Sequence, residues 1–124
     1  MNAPDITDPH IKPKLTLVAI DLDGTLLDPD ERISERNREA VAHARAGGAE
    51  VVLVTARGFL RARAFAQELG LSMPVLCCGG ALVADSATGR TLVHRPLPPE
   101  FALPILHFAL ERTLLRVCLK VLRS

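Results

Sequence analysis

Two carboxylates, Asp21 and Asp23, stand one residue apart, with Gly24 and Thr25 directly behind them. They follow the run Leu15-Thr-Leu-Val-Ala-Ile20. A short apolar run bounded by turn signals reads as a buried strand. Both carboxylates then fall at the C-terminal edge of a sheet, where open α/β folds keep their chemistry. Gathering two carboxylates in one place is costly unless a cation or hydrogen-bond donors compensate. A metal ion together with a phosphoryl group would supply that compensation. The plainer reading is a solvated Asp-Gly turn that punctuates the chain after a strand.

The rest of the chain supplies elements able to carry such an edge. Asp28-Pro-Asp-Glu31 reads as a turn, and Ser34 is a suitable N-cap for a helix. Ala40, Val41 and Ala44 share one helix face, and Gly47-Gly48 closes it. Val51 to Val54 reads as a second buried strand, ending at Thr55-Ala56-Arg57. Phe59, Ala62, Ala66 and Leu69 recur at helical spacing, with Gly70 as the stop. A third apolar run, Val75 to Cys78, ends at Gly79-Gly80. Strand and helix alternating in this way predict a parallel sheet with right-handed crossovers. Beyond it the pattern changes. Residues 81–84 and 91–94 flank a Gly89-containing loop and read as a hairpin. Pro96, Pro98 and Pro99 mark a boundary, followed by a helix over 101–112, begun or interrupted near Pro104. Leu115, Val117, Leu119 and Val121 alternate with polar residues and predict a half-buried antiparallel strand.

Composition narrows the function. The 124 residues suit one domain, and 48% hydrophobic against 23% charged residues suit a soluble core. Aromatic content is 3%, without Trp or Tyr, so stacking platforms for single-stranded nucleic acid are not expected. A net charge of +1 gives no field for nucleic acid or an anionic membrane. Cys77, Cys78 and Cys118 show no zinc spacing, and an odd count favours a reducing, cytoplasmic setting. The polar segment 1–14 reads as a flexible leader, lacking the apolar stretch of a signal peptide. His10, His43, His94 and His107 form no pair with ligand spacing. Arg61 and Arg63 read as decorating a helix face.

The motif Asp21-x-Asp23-Gly24-Thr25 after an apolar strand resembles the first motif of the haloacid dehalogenase superfamily. Its form Asp-Leu-Asp-Gly-Thr-Leu-Leu is similar to the Cof-type sugar-phosphatase branch. The resemblance implies an α/β fold: a Rossmann-like parallel-sheet core over 15–97, then the start of an α+β cap over 98–124. It implies a magnesium-dependent phosphatase of a small phosphorylated metabolite. In that chemistry Asp21 is the nucleophile and forms an aspartyl-phosphate. Asp23 protonates the leaving oxygen and then activates water. The Asp21 carboxylate and the Asp23 carbonyl would hold Mg2+, a cation that prefers oxygen. Backbone N–H groups around Leu22 to Gly24 would hold phosphoryl oxygens.

Thr55 matches the family's second motif, where a hydroxyl orients the phosphoryl group; it also suits a plain N-cap. The usual Thr-Gly-Arg is here Thr55-Ala56-Arg57. Arg57 suits phosphate contact and equally an exposed helix start. Gly79-Gly80-Ala81 stands where relatives carry Asn-Gly-Ala, either for close backbone approach or simply for a turn. The family also needs a later lysine and an acidic pair. Lysines occur only at Lys12, Lys14 and Lys120, and the acids after Asp85 are Glu100 and Glu111. The chain therefore resembles the N-terminal part of such an enzyme, with a complementing subunit or a missing C-terminal half as the implied partner. The alternatives are a non-catalytic phosphate- or magnesium-binding module, a degenerate fragment, or a phosphomutase.

Overall fold

The structure, a computed structural model, describes residues 16–112. The leader expected over 1–14, the strand expected over 115–121 and Cys118 lie outside the described residues. The chain divides into two units at the His94–Arg95 step.

The first unit opens with strand β1, Leu17–Ile20, and helix α1, Glu35–Ala46. Ser34 starts the helix as its sequence position suggests, accepting the Asn37 N–H on its hydroxyl at 3.2 Å. Strand β2, Glu50–Leu53, lies parallel to β1 with Ile20 opposite Leu53. Helix α2, Phe59–Glu68, leads to strand β3, Val75–Cys77. β3 joins the parallel system through a single bridge between Val54 and Leu76. Strands β4, Leu82–Ala84, and β5, Thr91–His94, form the expected hairpin. β4 also pairs antiparallel with β3, so the meander grows directly from the third strand.

The core gathers Leu22, Leu26, Leu27 and Ile33 from the β1–α1 connection, Val41 from α1, Val51 and Leu53 from β2, and Val75 and Cys77 from β3. α2 contributes Ala62 and Ala66, small side chains that let a helix backbone approach its support closely. β2 is buried as expected. β1 is not: its residues alternate between exposed and half-buried. The reason is position, because β2 is its one strand neighbour among the described residues.

The second unit carries helix α3, Pro99–Glu111. It begins two residues earlier than expected and runs through Pro104. Proline at the first helical position forgoes nothing. At Pro104 the helix goes on with one fewer hydrogen bond, since that residue offers no N–H to the Glu100 carbonyl. No helix among the described residues is long and apolar enough to cross a membrane.

Candidate functional site

The connection after β1 turns in place. Leu22 is 0% exposed, while Asp21 and Asp23 on either side face solvent. One buried side chain between two exposed carboxylates fixes the way both point. The Leu22 carbonyl accepts from the N–H groups of Thr25, Leu26 and Leu27 at 3.3, 3.1 and 2.9 Å, closing a tight turn. The turn needs Gly24 at φ +73°, which side-chain-bearing residues rarely adopt. Leu26 and Leu27 then re-enter the core. From α1, Asn37 Nδ2 donates to the Leu26 carbonyl at 2.9 Å and ties the turn to the helix.

The end of β2 is stitched to the end of β3. Thr55, 3% exposed, donates its N–H to the Leu76 carbonyl at 2.9 Å, and its own carbonyl accepts the Gly79 N–H at 3.1 Å. The Cys78 N–H reaches the Arg57 carbonyl at 3.0 Å. The Thr55 hydroxyl accepts the Arg57 N–H at 3.1 Å, a local turn two residues wide. The N-cap reading of Thr55 is thereby corrected: α2 starts at Phe59 with Gly58 as its cap. At Gly79-Gly80 the chain makes a turn. Cys78, Gly79 and Gly80 all have positive φ, +52°, +64° and +92°. The C-terminal ends of three strands thus deliver Asp21–Gly24, Thr55–Arg57 and Cys78–Gly80 to one edge.

Charge joins two of these segments. The Arg57 guanidinium grips the Asp23 carboxylate with Nε at 2.8 and 3.1 Å from its two oxygens and with Nη2 on Oδ1. Nη2 also reaches Glu31 Oε1 at 2.9 Å, and Arg61 Nη2 bonds the other Glu31 oxygen. The Phe65 ring lies under the guanidinium, 5.7 Å from Cζ to centroid. The Arg57 side chain is therefore only 12% exposed. The hydrogen bond from Arg57, reinforced by the charges of Arg57 and Arg61, holds the Asp23 carboxyl below the usual carboxylate range. Glu31 is lowered by the same two arginines. Arg57, bonded to two carboxylates, is raised further above its already high value.

Of the residues singled out in the sequence, Asp21, Leu22, Asp23, Gly24, Thr55 and Arg57 all belong to this edge. Arg57 is no solvated helix-start arginine. Arg61 and Arg63 are not decoration either: Arg61 holds Glu31, and Arg63 donates to the carbonyls of Ser86 and Ala87 at 3.0 and 2.5 Å, tying α2 to the β4–β5 loop. Sequence reasoning missed Glu31, Asn37 and Phe65. The Asp28-Pro-Asp-Glu31 turn and the four-residue spacing of Arg57 and Arg61 were the available signals.

Among the described residues no three His, Cys, Asp or Glu side chains cluster to enclose a metal ion. The Asp23 carboxylate is committed to Arg57, so of the oxygens that the family resemblance would assign to a cation, the Asp21 carboxylate and the Asp23 main-chain carbonyl are the ones not engaged by Arg57. One or two protein oxygens, with water and phosphate oxygens filling the shell, suit a small hard cation. The donor set fits that cation and would not fit a soft metal.

The family profile of the haloacid dehalogenase-like hydrolases matches residues 18–122. Pyridoxal phosphate phosphatase YbhA of Escherichia coli K12 is 35% identical over 95 residues, 77% of this chain and 35% of that protein. The 5-amino-6-(5-phospho-D-ribitylamino)uracil phosphatase YcsE of Bacillus subtilis 168 is 39% identical over 83 residues, 67% of this chain and 32% of that protein. A solved haloacid dehalogenase-like hydrolase from B. subtilis superimposes with a TM-score of 0.70 at 32% identity, over 80% of this chain and 34% of that one. The chain spans about a third of the length of the curated relatives it matches.

Proposed function

The chain belongs to the haloacid dehalogenase-like hydrolases, among relatives of the Cof type, and from that membership we propose that it carries the phosphoryl-transfer edge of a magnesium-dependent phosphatase of small phosphorylated metabolites. The observation that carries this reading is the meeting of Asp23 and Arg57, brought from the ends of two adjacent parallel strands to one carboxylate–guanidinium fork. A fork of that geometry accepts a phosphoryl group as readily as a carboxylate.

In the proposed reaction an Asp21 oxygen attacks phosphorus and the ester P–O bond breaks. The departing oxygen takes a proton from Asp23. Water then attacks phosphorus of the aspartyl-phosphate, giving its proton to the Asp23 carboxylate and releasing inorganic phosphate. In the resting arrangement the hydrogen bonds from Arg57 favour the Asp23 carboxylate, the form the second step needs. For the first step the phosphoryl oxygens take over Arg57, and the released Asp23 carboxylate takes a proton from solvent, which it then gives to the departing oxygen. The Thr55 hydroxyl, buried beside the Arg57 N–H, orients the group, and N–H groups of Leu22 to Gly24 face its remaining oxygens. Magnesium, when bound at the Asp21 carboxylate and the Asp23 carbonyl, would neutralise phosphoryl charge. Residues 98–124 are read as the start of a cap, and the setting as cytoplasmic. The small phosphate esters in the names of both relatives support the substrate class.

The test is magnesium-dependent hydrolysis of an aryl phosphate by the purified chain and by Asp21→Asn. Turnover that vanishes in the variant supports the reading. Turnover that survives removes Asp21 as nucleophile, and a folded chain without turnover leaves the non-catalytic binding module in its place.

A further inference from the structure

Glu31 occupies a backbone position that sequence economy would give to glycine. Its φ is +59°, in the left-handed region. The turn that imposes this conformation is built by Asp28. Its Oδ1 accepts the Asp30 and Arg32 N–H groups at 2.9 and 2.8 Å, and its carbonyl accepts the Glu31 N–H at 3.0 Å. A glutamate held there against its own preference calls for a use of its side chain. That side chain bonds Arg57 through one oxygen and Arg61 through the other.

Arg57 is thus fastened on three sides. Asp23 takes the Nε–Nη2 fork, Glu31 takes Nη2 from the flank, and Phe65 supports the plane from beneath. The contact with Asp23 is the one that an incoming anion competes for, because two phosphoryl oxygens match the fork that the two Asp23 oxygens now fill. The contacts with Glu31 and Phe65 lie outside that exchange.

We propose that Glu31 is the positioning residue of the anion site: it retains the Arg57 guanidinium at the strand edge while a phosphoryl group replaces the Asp23 carboxylate on the Nε–Nη2 fork. Arg61 and the Asp28 turn in turn hold Glu31. The inference rests on the phosphoryl-site reading above and adds to it the group that pre-orders the cation. An arginine released from such a hold must be ordered again at each binding event, at the expense of affinity.

The test is titration of the 124-residue chain with inorganic phosphate, followed by the Arg57 Nε–H resonance, in wild type, Glu31→Gly, Glu31→Gln and Arg57→Ala. Glycine suits φ +59° and deletes the carboxylate, so weakened binding there is not the result of a strained turn. Glutamine keeps an oxygen acceptor for Arg57 without the charge. The expected result is affinity lowered about three- to tenfold in Glu31→Gly, the ordering cost of one long side chain. The Arg57 signal broadens in that variant, and both affinity and signal return in Glu31→Gln. Unchanged affinity in Glu31→Gly overturns the positioning role, as does failure of Glu31→Gln to restore it. Wild type that shows no phosphate response, or Arg57→Ala that binds as wild type does, overturns the phosphoryl reading of Arg57 itself and the inference with it.

Discussion

Leu22→Ala separates a turn built into the core from a solvated Asp-Gly turn, because only the former buries the residue between the two aspartates. Leu22 is 0% exposed and belongs to the same core as Leu26, Leu27, Ile33, Leu53 and Val75. Truncation to alanine removes three buried carbons and leaves a cavity, for which leucine sites span about 2–5 kcal/mol. The surrounding turn cannot collapse freely: its carbonyls are fixed by Thr25, Leu26 and Leu27, and Asn37 pins it to α1. A value of about 3 kcal/mol is therefore expected, a large share of the stability of any small domain. For a domain near 100 residues each kcal/mol moves Tm by about 4–8 °C, so the midpoint should fall by about 12–24 °C. The assay is thermal unfolding by far-UV circular dichroism, with Leu22→Met as a volume-conserving control expected to cost less than about 1.5 kcal/mol. A Leu22→Ala midpoint within about 2 °C of wild type, under 1 kcal/mol on that scale, would refute the claim that this side chain anchors the aspartates.

Gly24→Ala meets open space, since no atom lies within 4 Å of an added Cβ, so its cost is the φ of +73° alone, about 1–2 kcal/mol; equal urea midpoints for the two chains would contradict the turn. Thr55→Val strands the Arg57 N–H and should cost about 1 kcal/mol, read as a lower urea midpoint at unchanged m; an unchanged midpoint would remove the bond. Burial, with the neighbouring Cys78 adding to it, pushes the Cys77 thiol from 9.0 up to about 11. Its folded pKa lies above its unfolded one, so the stability it contributes is whole below pH 9 and is lost as pH rises toward 11. At pH 8 iodoacetamide should label Cys78, which is exposed, and spare Cys77; peptide mapping that finds both modified at one rate in the native chain would contradict the burial.

Much of the framework was legible because short-range signals agreed with one another. Ser34 and Gly47-Gly48 bracketed the first helix, Gly70 marked the end of the second, and three apolar runs placed the strands. The edge residues were legible for the same reason, since Asp21, Asp23 and Thr55 each follow a strand. Three things were not. The half-exposure of β1 depends on its neighbours in the sheet, which its own apolar residues do not encode. The antiparallel addition of β4 to β3 depends on the left-handed run at Cys78–Gly80. The clamp on Arg57 joins Glu31, Arg57, Arg61 and Phe65 across up to 34 positions, and helical or strand periodicity carries no signal for ion pairs between segments.

The central claim is that Asp21 receives the phosphoryl group. The most direct measurement is to mix the chain with magnesium and an aryl phosphate, quench within one turnover, reduce any acyl phosphate with borohydride, and locate the altered residue by peptide mass spectrometry. The account expects homoserine in place of aspartate at position 21 and none in Asp21→Asn. Hydrolysis proceeding with position 21 unaltered, or with the label on another residue, would contradict it.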